Sequence, residues 1–127
     1  MKFQSLPGLM VKVDGVEYKP ALSAPPDKPF PFEYRLSIHN QSAHTVTLFG
    51  RKWVVRDNDD GSTLVVEGDG IVGQFPRLEP GRSFSYNSYH VILNCSTAQG
   101  AFFGATEDGM PVRVMIPDFR MQPPMMA

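Results

Sequence analysis

Cysteine is almost missing from this chain. Cys95 is the single thiol in 127 residues, so no intrachain disulfide can form. That fits a reducing cytoplasm. No cation adjoins Cys95 in sequence to activate it, and it reads as a small buried hydrophobe. Excess charge is also missing. Twelve Lys and Arg face thirteen Asp and Glu, for a net charge of -1. Nothing here resembles the basic footprint that nucleic acid or an anionic membrane surface requires. No apolar run approaches the roughly 20 residues of a membrane span. The first residues hold no continuous apolar segment, so no signal peptide is expected. Finally, no fifteen-residue window carries a clean helical period. The length suits one domain, able to bury roughly two-thirds of its unfolded surface without metal or disulfide staples.

What the chain does have is punctuation. Twelve prolines and eleven glycines fall at short intervals, with β-branched and aromatic residues between them. This pattern predicts an all-β sandwich of about seven to nine mostly antiparallel strands. Val11, Val13, Val16 and Tyr18 flank Asp14-Gly15, which reads as a two-residue type I′ turn, with one bulged strand as the alternative. Ala21–Pro31 is proline-rich and reads as a loop. Tyr34, Leu36 and Ile38 alternate with Arg35, Ser37 and His39, as a half-buried strand requires. After a turn at Asn40–His44, Val46 and Leu48 open another strand. Apolar parity then moves from even to odd at Trp53 and Val55. A slip would expose Trp53, so a bulge is expected near Phe49-Gly50-Arg51, with Trp53 between the sheets.

Arg51 and Lys52 read as solvated edge charges that guard against strand pairing. Asp57–Ser62 is a polar turn before Leu64-Val65-Val66. Glu79-Pro80-Gly81 suits a type II turn. Phe84 and Tyr86 open a strand that Val91–Leu93 continues. Ala101, Phe103 and Ala105 are expected opposite Ile116, Val114 and Val112, across a type I′ turn at Asp108-Gly109. Met121–Ala127 reads as a frayed tail, with the core at about residues 9–121.

Gly68-Asp69-Gly70-Ile71-Val72-Gly73 fits G-x-G-x-x-G. A dinucleotide fold would need a helix opening on these glycines. Gln74-Phe75-Pro76-Arg77 and Pro80-Gly81 leave no room for one. The plainer reading is that Gly68, Gly70 and Gly73 supply left-handed backbone and close approach in a strand connection. The sharper one is an anion nest for pyrophosphate, assisted by Arg51, Lys52, Arg77 or Arg82.

Catalytic patterns are thin. His39, His44 and His90 have no zinc spacing and read as solvated or locally hydrogen-bonded. No G-x-S-x-G elbow occurs. Asp57-Asn58-Asp59-Asp60-Gly61 fails the EF-hand count, leaving Asp57, Asp59, Asp60 and Glu67 as a loose Mg²⁺ or Ca²⁺ possibility behind a turn. Met121, Met125 and Met126 would suit a soft metal only on paper.

The strings RLSIHNQS, LFGRKWVVRD, VEGDGIVGQFPRLEPGRSFSY and VRVMIPDFRM, in this order, resemble the ApaG family, or DUF525 domain, over roughly Val11–Met121. The loop expected at Asn94–Gly100 departs from the family pattern, being longer and without proline, as does the loop at Gln74-Phe75. The resemblance implies a fibronectin type III-like sandwich, often a standalone cytoplasmic bacterial protein. It also implies a genetic link to cobalt and magnesium tolerance and proximity in operons to diadenosine tetraphosphate hydrolase. Similar eukaryotic domains, in F-box proteins and a DNA polymerase δ interacting protein, look like protein-binding modules. The family's glycine motif is associated with pyrophosphate, and no established reaction comes with the name. The expectation is a non-enzymatic module without a resident cofactor, binding another protein. Pyrophosphate-containing small molecules at Gly68–Gly73 are the alternative.

Overall fold

The structure, a computed structural model, describes residues 2–125. Among them lie nine strands and no helix: β1 (Gln4–Ser5), β2 (Leu9–Tyr18), β3 (Phe30–Asn40), β4 (Val46–Asp57), β5 (Thr63–Asp69), β6 (Arg77–Leu78), β7 (Ser83–Ile92), β8 (Ser96–Thr106) and β9 (Pro111–Met121). Among the described residues, no helix is long and apolar enough to cross a membrane.

Two sheets form the sandwich. One runs β1-β9-β8-β4-β5, with β6 also on β4, and the other runs β2-β3-β7. Among the described residues, only β1 pairs in parallel, along β9. Inward residues of both sheets make one core, with Leu36, Ile38, Leu48, Phe102 and Val112 fully buried and Trp53 2% exposed. Tyr34 of β3 meets Trp53 of β4 across the layers at 4.9 Å between ring centroids. That contact ties the short sheet to the long one.

The bulge in β4 is where parity demands it. Its register against β8 shifts between Leu48 and Gly50, so Leu48 and Trp53 both face inward. The expected type II turn is present: Gly81 has φ 86° and the Arg82 N–H donates to the Glu79 carbonyl at 3.0 Å.

Four expectations need correction. Asp14-Gly15 is no hairpin: β2 continues past it along β3 with a bulge between Val13 and Gly15. The bulge changes parity, so Val11, Val13, Val16 and Tyr18 still all reach the core.

The β8–β9 hairpin is offset by one residue from the expected pairing, with Phe102 opposite Val114 and Ala101 opposite Met115. Its loop is three residues long, closed by Thr106 N–H to the Met110 carbonyl at 3.0 Å, and only Gly109 is left-handed. One more loop residue moves the register by one, and even-numbered residues of β8 point inward.

Ser96–Gly100, read as loop, is the first half of β8. Its inward residues Ser96, Ala98 and Gly100 are small because Trp53 takes the space. A Cβ on Gly100 would stand 3.0 Å from the Trp53 ring.

Met121 ends β9 fully buried instead of opening the tail. Gln122–Met125 continue outside any strand, and Met126 and Ala127 lie outside the described residues.

Candidate functional site

The glycine segment is a tight hairpin hung from the β4–β5 pair. Val72 and Gly73 have φ 45° and 78°, two consecutive left-handed residues as a type I′ turn requires. Ile71 and Gln74 exchange both backbone hydrogen bonds across it, at 2.8 and 3.0 Å. The hairpin sets Ile71, fully buried, into the core. Gly70 N–H donates to the Phe49 carbonyl at 2.8 Å.

The Gly68 amide also points at β4, because hydrogen-bonded pairs alternate along an antiparallel ladder and Gly68 is paired with Arg51. Val72 and Gly73 have no backbone partner for their amides among the described residues. The Arg51 guanidinium lies across Gly68, where a Cβ would come within 2.6 Å of it. It donates to the carbonyls of Asp69 at 2.8 Å and Gly70 at 3.2 Å. Lys52 meets Glu67 at 3.5 Å and Arg77 meets Glu79 at 3.4 Å. Arg51 and Lys52 are not edge charges: β4 is paired on both sides, by β8 and β5.

The edge strand on this flank of the long sheet is β5. Every one of its residues except Gly68 is exposed. Leu64 and Val66 pair with Val55 and Trp53 and share their inward face, yet they are 46% and 36% exposed. The short sheet ends at β7 and does not reach over them. Between β5 and β7 opens a cleft of about 500 Å³, lined by Trp53, Tyr34, His90, Leu64 and Val66 among others.

The sequence suggests a solvated or locally bonded His90, and the structure corrects this. It stacks on Tyr34 with centroids 4.7 Å apart and abuts Trp53 edge-on at the same distance. Its Nε2 is buried without a hydrogen-bond partner among the described residues. Burial pushes its pKa down to about 4 and keeps the ring neutral. Burial likewise pushes the Tyr34 and Tyr86 phenols up. The signal was available: Phe84 and Tyr86 face inward, and two more alternations reach residue 90.

The other candidates are placed as follows. Asp57 Oδ1 accepts the Asp59 and Asp60 amides at 2.9 and 3.2 Å, and Oδ2 accepts from Asn94 at 3.0 Å. Asp60 accepts both the amide and the hydroxyl of Ser62, and the hydroxyl chiefly holds its carboxyl below the usual range. These carboxylates shape the β4–β5 turn. His39 Nε2 is 2.9 Å from the Ser37 hydroxyl. His44 comes together with Glu107 and Asp108, their ligand atoms all within 4.8 Å, on the β3–β4 and β8–β9 loops. Sequence reasoning missed this group because its members are far apart in the chain. Cys95 is only half-buried, and Arg120 donates to its Sγ at 3.1 Å, a cation that sequence adjacency does not reveal.

Comparison with known proteins agrees with this architecture. The family profile "DUF525: ApaG domain" matches residues 20–105. Protein ApaG of Enterobacter sp. (strain 638) is 37% identical over 119 residues, 93% of this chain and 94% of the relative. Protein ApaG of Vibrio cholerae serotype O1 (strain M66-2) is 35% identical over 121 residues, 94% of each. The crystal structure of a Bordetella pertussis protein described as ApaA superposes with a TM-score of 0.81 at 29% identity, covering 98% of this chain and all of that one. With the profile spanning most of the sandwich and relatives aligned over more than nine-tenths of both chains, the chain belongs to the ApaG (DUF525) family.

Proposed function

We propose that this chain is a non-enzymatic, cytoplasmic binding module that adds an extended segment of another protein to the free edge of β5. The observation that carries the reading is the overhang of β5. It has unpaired backbone groups along one side, and its inward Leu64 and Val66 lack a covering layer. Strand addition satisfies both at once, through main-chain hydrogen bonds and alternate side-chain contacts. Tolerance of cobalt and magnesium is carried to this chain on family membership alone. Growth of a deletion strain on elevated cobalt tests it.

The ladder supplies a selective test. Even-numbered residues of β5 bond to β4, so the N–H groups of Thr63, Val65 and Glu67 point outward. Val65→Pro removes one outward donor and leaves the internal ladder intact. Random displayed peptides selected on the folded protein should include binders whose affinity falls at least about tenfold in Val65→Pro, the equivalent of one net hydrogen bond. Finding no binders, or only binders indifferent to Val65→Pro, overturns the reading.

A second reading is favoured by the Val72 and Gly73 amides at the hairpin tip. Two successive amides of left-handed residues can point at one anion. Isothermal titration with pyrophosphate, with and without Mg²⁺, should then give heat that Gly73→Val abolishes. Silence at millimolar ligand removes this reading.

A further inference from the structure

We propose, resting on the strand-addition reading, that the segment taken by β5 is basic and alternates: apolar side chains toward the cleft, Lys or Arg on the opposite face. Two independent features of the edge support this. The first is charge. From Asp57 to Pro76 the chain has five carboxylates (Asp57, Asp59, Asp60, Glu67, Asp69) and no Lys or Arg. Beside this stretch, on β4, stand three cations, Arg51, Lys52 and Arg56, opposite Gly68, Glu67 and Thr63, so two of the five carboxylates remain in excess. The surplus of negative charge attracts a cationic strand and repels a second copy of this one.

The second feature is parity. Residues opposite each other on neighbouring strands share a face. An added strand would therefore place every second side chain opposite Leu64 and Val66, over the cleft floored by Trp53 and Tyr34. The intervening side chains would lie on the face that carries Val65 and Glu67, within reach of Glu67 and Asp69. The cleft holds about 500 Å³, room for more than one apolar side chain. The repeat of the partner is thus two residues, apolar then basic, over the seven residues of β5.

The test reads the sequences of those displayed peptides that Val65→Pro rejects. They should alternate apolar residues with Lys or Arg. Their dissociation constants should rise about tenfold from 50 to 500 mM salt, as exposed charge pairs are screened. Glu67→Gln with Asp69→Asn, which keeps side-chain size, should weaken them about fivefold and flatten the salt response. Its fold is checked by its melting curve. Peptides that need the Val65 amide but are neutral or acidic, lack the alternation, or ignore salt overturn this proposal and leave strand addition standing. Peptides indifferent to Val65→Pro overturn strand addition itself.

Discussion

Val72 is a β-branched residue in left-handed backbone, with φ 45°. That conformation costs an L-residue roughly 1–2 kcal/mol, and a glycine nothing comparable. It is the only non-glycine residue with positive φ among those described, and it sits at the tip of the hairpin that buries Ile71. Val72→Gly should raise unfolding stability by about 1 kcal/mol in a urea titration, with the slope unchanged. A loss of stability would mean that the exposed valine makes contacts worth more than its strain. Sequence reasoning placed type I′ turns at Asp14-Gly15 and Asp108-Gly109 because Asp-Gly suits them. The turn formed instead at Val72-Gly73, which carries no such signature. Turn chemistry was outvoted by the ladder on either side. The glycines themselves were legible. Their reasons were not, since only space shows that the Arg51 guanidinium lies across Gly68.

Strands were legible wherever large side chains alternate. Tyr34, Leu36 and Ile38 fixed β3, and the change of parity before Trp53 located the bulge in β4. The first half of β8 was not, because Ala98 and Gly100 are small to make room for Trp53 and carry little strand signal. The open flank also escaped, because which strand lies at an edge depends on sheet order. Within β5, the two proline substitutions should part company. Val65→Pro should leave stability within about 1 kcal/mol of the parent, its N–H facing outward. Val66→Pro removes a donor to Trp53 in the ladder and should cost about 2 kcal/mol or more, seen in thermal unfolding. Equal losses would show that the ladder phase assigned to β5 is wrong.

At the scale of the whole molecule, the neutral His90 ties stability to pH. Its folded pKa lies near 4, against an ordinary value of 6.5. Between those values the unfolded chain binds the extra proton, so stability rises with pH across this window and is complete above it. The integrated effect is about 3 kcal/mol. His90→Phe should remove the slope between pH 4 and 6.5, measured by urea unfolding. A parent protein equally stable at pH 4.5 and 7 would refute the assignment. Asp60 and Asp108, whose hydroxyl partners hold their carboxyls low, contribute in a more acidic range, where stability falls as they protonate. The two layers differ in width, with β5 overhanging a three-stranded partner. A sandwich whose halves match is finished when it folds. This one leaves a ledge, and the shape of whatever rests there is already written into the spacing of its rungs.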